Sequence, residues 1–222
     1  WALSSPSQLR TLLPQPLHTM SLRTLSYRLK QLLRPTVNRY FSNNSTKIGG
    51  DKNHISIYSH NCIKNSNFII SGENNELIIE DGCYISGLNV LMGEGSKIII
   101  RSGTTINASS QFPVVLNALE RTSIIIEKNC LFSNSIEIHS TDYHSILADD
   151  GHRINRAADI HIGEHTWVGL RATILKGVTL QQNTIVAANS VVTRSFTEPN
   201  IIIAGNPAQK VKTFSRWRHE RI

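Results

Sequence analysis

The 222-residue chain is long enough to bury a sizeable core, and its aromatic content of 6% means that aliphatic side chains must form most of that core. No stretch approaches the ~20 consecutive apolar residues that a membrane-spanning helix needs. The formal charge of +7 is concentrated at the ends: residues 1–46 hold six basic and no acidic residues, and the chain from Lys210 holds five basic residues against Glu220. The section between them is net negative, so the pI of about 9.5 does not indicate a nucleic-acid-binding protein.

The first 46 residues differ from the rest of the chain. Residues 1–20 have no usable hydrophobic period, and we interpret them as a disordered leader of read-through or cloning origin. Residues 21–46 are predicted to contain a basic amphipathic helix ended by Pro35, because five leucines share one helical face: Leu22, Leu25, Leu29, Leu32 and Leu33. We favour a cap on the open end of the following domain; contact with an anionic membrane surface through residues 21–34 is the alternative.

Three cysteines bear on the compartment. Cys62, Cys83 and Cys130 are far apart in the chain and form no CxxC pair. We interpret them as buried, small apolar residues in a reducing environment rather than as metal or redox residues. The expected location is therefore the cytoplasm, including the inner face of its membrane, with organellar targeting by residues 1–46 as the lesser alternative.

The last third of the chain carries a six-residue period. Aliphatic residues recur six positions apart without a slip: Ile162, Val168, Ile174, Leu180, Val186 and Val192. Neither a helix period of 3.6 nor a strand period of 2 gives such a run, whereas a chain that turns a corner every six residues points one aliphatic side chain inward per face. Three such faces make a triangular coil. The sequence therefore predicts an all-β protein built as a parallel β-helix.

We expect this β-helix to span residues 47–205, followed by a basic C-terminal tail over 206–222. The period is weaker in the early part, where the expected inward residues are Ile79, Ile85, Leu91, Ile100, Ile106, Ile126, Phe132 and Ile138. Two stretches interrupt it, near 107–122 and 140–158, and both are predicted to loop out while the coil resumes beneath them. The second insertion holds most of the polar, titratable residues, so we expect it to carry function.

Several motifs occur together in residues 136–212. They are Asp-x-His-Ser-Ile at 142–146, Arg-Ile-Asn at 153–155, Ile-Gly-x-x-x-Trp-Val-Gly at 162–169 and Ala-Gly-Asn-Pro-Ala at 204–208. With these motifs the segment resembles the hexapeptide-repeat acetyltransferase family, especially its bacterial sugar and polysaccharide O-acetyltransferase branch. The resemblance implies a left-handed β-helix that forms a homotrimer with active sites between subunits. It also implies direct acetyl transfer from acetyl-CoA to a carbohydrate hydroxyl, in a surface polysaccharide or its precursor, with no metal.

The same resemblance implies roles for residues of the second insertion. His144 matches the family's catalytic histidine and would act as general base on the acceptor hydroxyl, since an imidazole titrates near the operating pH. Asp142, two residues earlier, would orient or polarise this imidazole. His139, at the mouth of the insertion, is the competing base and a candidate substrate contact. Arg153 would either contact the acceptor or hold the loop in place.

The implied acetyl-CoA contacts lie further along the chain. Trp167 would flank the thioester arm, Gly169 would allow close approach of the cofactor, and Ala187 matches a position where main-chain groups line the pantetheine. Phosphates would meet three basic residues: Arg194, Lys210 and Lys212. The chain departs from the family at Gln209, where a basic residue often follows Asn-Pro-Ala, and this departure weakens the phosphate assignments.

Two other functions fit the residues less well. γ-Carbonic anhydrases also form trimeric left-handed β-helices, and His139 and His144 have the spacing of two of their zinc ligands. The third ligand of that family lies a few coils earlier, but this chain has no histidine between His60 and His139, and a histidine zinc site needs three protein ligands. A non-catalytic scaffold would need flat ranks of similar exposed side chains, whereas the outward positions here are mixed. The identity of the acceptor, the choice between O- and N-acetylation and the acyl chain length do not follow from the sequence.

Overall fold

A computed structural model of the chain describes residues 41–220. The predicted leader, and the predicted amphipathic helix up to residue 40, lie outside the described residues. Within 41–220 every regular element is a β-strand, and no helix is long and apolar enough to cross a membrane. Strand β1 lies inside the segment 21–46 that the sequence assigns to the helix and cap, and β2 begins there, so the coil begins before residue 47.

The described residues contain these strands in chain order: β1 Phe41–Ser42, β2 Ser45–Ile48, β3 His54–Ile57, β4 Cys62–Lys64, β5 Asn67–Ile70, β6 Glu76–Ile79, β7 Tyr84–Ser86, β8 Leu88–Met92, β9 Lys97–Ile100, β10 Thr105–Asn107, β11 Val114–Ala118, β12 Ser123–Ile126, β13 Leu131–Phe132, β14 Ile136–His139, β15 Ile160–Ile162, β16 Trp167–Val168, β17 Thr173–Leu175, β18 Thr179–Leu180, β19 Ile185–Val186, β20 Val191–Val192, β21 Ile201–Gly205 and β22 Ala208–Thr213.

These strands form three sheets, one for each face of a triangular coil. From β1 to β17, each strand pairs with the strand three places later in the chain, as in the order β2-β5-β8-β11-β14-β17-β20, because the chain visits every face once per turn; at the end of the coil β19 pairs with β21. The pairing is parallel throughout the coil, and only the last pair, β21 with β22, is antiparallel. The predicted all-β parallel β-helix is confirmed, and the predicted basic tail contributes β22 to its end.

The predicted inward row of the last third is also confirmed. All six residues of the six-residue period have a relative exposure of 0%, and each lies in a strand. Burying an aliphatic side chain of this size contributes about 1.5–3 kcal/mol, so the stacked row is a principal source of stability. Residues 160–192, here called the late coils, stack at an interval of 18, as in the pair Trp167 and Ile185.

Residues 41–107, here called the early coils, are wider. Phe41 pairs with Ile63 and Ile63 with Ile85, an interval of 22 residues each time. Of the inward residues expected in this region, Leu91 is wrong: Val90 and Met92 are buried, and Leu91 between them faces outward, because successive side chains of a strand alternate.

The two predicted insertions differ in the structure. The stretch 107–122 was expected to loop out as a whole, but Val114–Ala118 is a strand of the coil that pairs with β8 and β14. The excursion there is confined to the residues between β10 and β11. The stretch 140–158 does loop out, since no strand lies between β14 and β15. The expectation of three buried cysteines holds for Cys83 and Cys130, whereas Cys62 is half-buried.

Candidate active site

The segment between β14 and β15 leaves the coil as a compact hairpin. Leu147 and Arg153 form an antiparallel bridge, and the amide of Ile154 donates to the carbonyl of Ile146 at 2.9 Å. At the base of the segment, the amide of Ala158 donates to the carbonyl of Ser140 at 3.0 Å. Residues 140–158 are here called the site loop. These hydrogen bonds give the site loop a defined backbone conformation.

His144 lies on the exposed side of the site loop. Its amide donates to the carbonyl of Asp142 at 2.7 Å, and its own carbonyl accepts from the side chain of Asn155 at 2.8 Å. Its imidazole makes no hydrogen bond with any residue of the described range 41–220. The backbone of His144 is held while its ring stays available, as a general base needs.

Asp142 is engaged elsewhere. Its carboxylate accepts hydrogen bonds from the ammonium of Lys176 and, at 2.8 Å, from the side-chain amide of Asn155. The hydrogen bond from Lys176 is the main reason that the pKa of Asp142 lies below its usual value. In this chain the Asp142 carboxylate faces these two partners and not the His144 imidazole.

Arg153 ties the site loop to the coil. Its guanidinium pairs with both carboxylate oxygens of Glu120, at 3.1 Å for one of the two contacts, and its Nε donates to Asn155 at 3.2 Å. Glu120 also accepts from the hydroxyl of Thr141. The hydrogen bonds from Arg153, followed by those from Thr141, lower the pKa of Glu120. The sequence allows two roles for Arg153, contact with the acceptor or holding the loop in place. The contacts with Glu120 and Asn155 fit the second role.

His139 sits in a polar network on the outer surface of the seven-stranded sheet. Its Nε2 lies 2.9 Å from a carboxylate oxygen of Glu137, so this nitrogen carries the proton that the carboxylate accepts. Its Nδ1 then accepts from the side-chain amide of Asn117 at 2.9 Å, and the Tyr143 hydroxyl lies 3.3 Å away. Burial, with the nearby charge of Glu137, raises the pKa of Tyr143. His139 thus has the carboxylate partner that His144 lacks within residues 41–220.

Trp167 lies on a different face, the nine-stranded sheet, with a relative exposure of 37%. Trp217, from the segment after β22, packs beside it with ring centroids 5.9 Å apart and stacks on His165 at 4.1 Å. The indole N–H of Trp217 donates to the carbonyl of His165 at 2.9 Å. The chain after β22 therefore folds back over the coil and forms one wall beside Trp167.

Gly169 and Ala187 lie on consecutive turns of this sheet. A Cβ on Gly169 would approach the amide nitrogen of Ala188 to 2.8 Å and the carbonyl oxygen of Val186 to 2.9 Å. The absence of a side chain at Gly169 is thus required by the stacking of the next turn. Ala187 is half-buried, and its amide donates to the carbonyl of Ile203 at 2.9 Å.

The three predicted phosphate-binding residues lie at the C-terminal end of the coil. Arg194 donates to the side chain of Gln209 at 2.7 Å, and Lys210 pairs with Glu198. Lys212 is an exposed residue of β22. Gln209, the departure noted in the sequence, thus serves as a partner of one predicted phosphate-binding residue.

The structure therefore gathers the predicted residues into separate groups. Asp142, His144 and Arg153 share the site loop and His139 begins it, whereas Trp167, Gly169 and Ala187 lie on the nine-stranded sheet. No hydrogen bond or ring contact within residues 41–220 joins the two groups. In the same range, no three His, Cys, Asp or Glu side chains come together as a metal-ligand cluster.

Sequence reasoning missed several partners of these residues. Lys176 follows β17 and meets Asp142 across 34 positions of the chain, a distance that local patterns do not reveal. Glu120, Glu137 and Trp217 were not singled out either. For Asn155 the only sequence signal is its place at the end of the Arg-Ile-Asn motif.

Comparisons with known proteins agree with this architecture. A family model described as "Hexapeptide repeat of succinyl-transferase" matches residues 159–194. The polysialic acid O-acetyltransferase of Neisseria meningitidis is 36% identical over 137 residues, which cover 60% of this chain and 61% of that protein. A probable macrolide acetyltransferase of Lysinibacillus sphaericus is 42% identical over 64 residues, covering 29% of this chain and 34% of that protein.

Solved structures give the same result. The polysialic acid O-acetyltransferase OatWY has a TM-score of 0.61 and 29% identity, covering 81% of this chain and 92% of that one. The polySia-specific acetyltransferase NeuO, at 24% identity and a TM-score of 0.53, shares the fold and covers 81% of this chain and 88% of its own. The matched segment spans about three fifths of the N. meningitidis relative. The resemblance of this chain to the hexapeptide-repeat acetyltransferases, including the sugar O-acetyltransferase branch, is confirmed.

Proposed function

We propose that the protein is an acetyl-CoA-dependent O-acetyltransferase whose acceptor is a hydroxyl of a polysaccharide or of its precursor. The observation that carries this proposal is the state of His144: its backbone is fixed on both sides, and its imidazole is exposed and available. The 36% identity to a protein named polysialic acid O-acetyltransferase supports a carbohydrate acceptor and an acetyl donor.

In the proposed reaction, His144 takes the proton of the acceptor hydroxyl as its oxygen attacks the thioester carbonyl of acetyl-CoA. The C–S bond of the tetrahedral intermediate then breaks, and the imidazolium returns the proton to the departing CoA sulfur. The products are the acetyl ester and free CoA, with no acyl-enzyme. Main-chain amides would stabilise the developing oxyanion, as hydrogen-bond donors do in other acyl transfers.

A site made by neighbouring copies of the chain completes this proposal. Trp167, Gly169 and Ala187 lie on a face of the coil other than the one from which the site loop departs. We propose a homotrimer in which the site loop of one subunit faces the Trp167 surface of the next, so that acetyl-CoA lies between them. Arg194, Lys210 and Lys212 would then meet its phosphates, and Arg153 would shape the acceptor side through Glu120.

The test is CoA release from acetyl-CoA with polysialic acid, other polysaccharides and simple sugars as acceptors. We expect acceptor-dependent turnover that falls by about 100-fold or more in His144→Ala, the scale of a lost general base. His152→Ala is the matched control, because His152 is an exposed histidine of the same loop whose bonds go to Asp150, and its turnover should match wild type.

His139→Ala decides between the two histidines. His139 has a carboxylate partner, so a loss confined to His139→Ala, with His144→Ala active, would transfer the role of base to His139. Absence of turnover with every acceptor, in a protein that fails to bind acetyl-CoA yet holds stoichiometric zinc, would overturn the acetyltransferase proposal in favour of the zinc enzyme.

A further inference from the structure

We infer that Asp142, Asn155 and Lys176 form a clamp that positions His144, and that the Asp142 carboxylate serves this clamp rather than the imidazole. The inference rests on the proposed function, since it takes His144 as the base. It gives Asn155 and Lys176 a role in positioning His144, which the sequence motifs do not indicate. The three residues are here called the loop clamp.

Asn155 contacts residues on both sides of His144, and His144 itself, with a single side chain. Its Nδ2 donates at 2.8 Å to the Asp142 carboxylate and at 2.8 Å to the carbonyl of His144. Its Oδ1 accepts from the amide of Ile146 at 2.7 Å. One amide group therefore fixes the residue two before His144, His144 itself and the residue two after it.

Lys176 connects this arrangement to the coil. It directly follows β17, a strand paired on both sides, and its side chain is only 22% exposed. Its ammonium donates to the Asp142 carboxylate and, at 3.0 Å, to the main-chain carbonyl of Asn155. Lys176 thereby contacts the site loop both before its hairpin, at Asp142, and after it, at Asn155, while its own backbone lies next to a strand of the coil.

The clamp accounts for the direction of the Asp142 carboxylate. The Asp142 carboxylate already accepts a charge-assisted hydrogen bond from the Lys176 ammonium and a second bond from the Asn155 amide. The charge-assisted bond is the stronger kind of hydrogen bond. Holding the backbone fixes the point from which the imidazole extends, and small displacements of a catalytic group are costly: about 1 Å can lower a rate by roughly 100-fold. Loss of the clamp should therefore lower kcat through misplacement of His144, while the KM for acetyl-CoA changes little.

A double-mutant cycle of Lys176→Met and Asp142→Ala tests this inference. We expect each single variant to lower kcat by about 10- to 100-fold, and the double variant to lower it no further, because the two residues act as one unit. The midpoint of the acidic limb of the kcat profile, which reports the base in the complex, should stay unchanged in all three. A midpoint displaced by Asp142→Ala but not by Lys176→Met would show that Asp142 acts on the imidazole and would overturn the inference.

Hydrogen exchange provides a readout without turnover. We expect the amides of His144, Ile146 and Ile154 to exchange about 10-fold faster or more in Lys176→Met and in Asn155→Ala. Lys97→Met is the matched control: it removes a lysine paired with Glu76 on another sheet of the coil and should leave the site loop unchanged. Wild-type exchange in both clamp variants would overturn the inference. If no acceptor supports turnover, the proposed function fails, whereas the exchange rates still decide whether the clamp holds the loop.

Discussion

The early coils (residues 41–107) and the late coils (residues 160–192) enclose the same kind of aliphatic core with different lengths of chain. Stacked residues are 21 or 22 positions apart in the early coils and 18 in the late coils. Strands β2 to β10 have three to five residues, whereas β15 to β20 have two or three. Most early strands bury two or three side chains, as β8 buries Leu88, Val90 and Met92, whereas most late strands bury one, so the extra residues of the early coils widen the core as well as its faces.

The two regions also satisfy their corners differently. In the early coils buried asparagines bond to the next turn: Asn53 accepts from the amide of Asn75 at 2.9 Å, and Asn75 accepts from the amide of Ser96 at 3.0 Å. In the late coils, Thr166 and Thr184 each donate at 2.7 Å to the carbonyl three residues earlier, within their own turn. Polar side chains thus link successive turns in the wide coils and tighten single corners in the narrow ones.

The largest expected effect is on stability at an asparagine corner. Asn75→Ala removes one acceptor of the Ser96 amide, the donor to the carbonyl of Ser71 and a donor to the side chain of Asn53, all from a side chain that is 1% exposed. Each such hydrogen bond contributes about 1 kcal/mol, so we expect a loss of about 3 kcal/mol in the free energy of unfolding. Thr184→Val, which removes one bond inside one corner, should cost about 1 kcal/mol. Urea denaturation measures both, and equal losses would contradict the distinction between the corners.

A smaller effect is expected from close stacking. Gly169→Ala in the late coils must push apart two turns, because its Cβ would lie 2.8 Å from backbone, so we expect a loss of about 2 kcal/mol from overpacking. Gly82→Ala in the early coils meets nothing nearer than 3.9 Å and carries only the strain of its φ of +72°, about 1 kcal/mol. Thermal denaturation should show the larger shift for Gly169→Ala; the reverse order would mean that the narrow turns separate easily.

The smallest effect concerns thiol reactivity in the unaltered protein. Burial raises the pKa of Cys83 to about 11 and that of Cys130 to about 12, and both thiols are therefore protonated at pH 8. Cys62, on the outer side of β4, is half-buried. A disulfide reagent at pH 8 should modify one thiol per chain at least about 100-fold faster than the other two. Uniform modification of all three would show that the turns that bury Cys83 and Cys130 open often enough to expose their thiols as readily as that of Cys62.

The late coils could be predicted from the sequence because their interval of 18 is three times six, which keeps the inward row in phase. The early intervals of 21 and 22 are not multiples of six, and an extrapolated period therefore places Leu91 inside, where the strand puts Val90 and Met92. The same change of interval hides β11, since Val114–Ala118 falls in a stretch without the period.

The site loop could be located from the sequence, because titratable residues accumulate where the period stops. Its internal contacts could not: Arg153 meets Glu120 across 33 positions, and Lys176 meets Asp142 across 34. Such pairs depend on which turns stack, and thus on the lengths of the insertions. The order of Asp142 and His144 in the chain suggests a catalytic pair, whereas the fold turns the carboxylate towards the coil.

The reversed strand at the end of the coil has a consequence for self-association. A parallel β-helix that simply stopped would offer a row of free backbone groups on which another molecule could continue the stack. On the nine-stranded sheet this place is taken by β22, which runs antiparallel and has exposed residues from Gln209 to Thr213, Lys210 and Lys212 among them. A lysine-bearing edge of opposite direction is a poor template for an incoming parallel strand. The same strand that ends the fold thus blocks end-to-end fibre growth from that sheet.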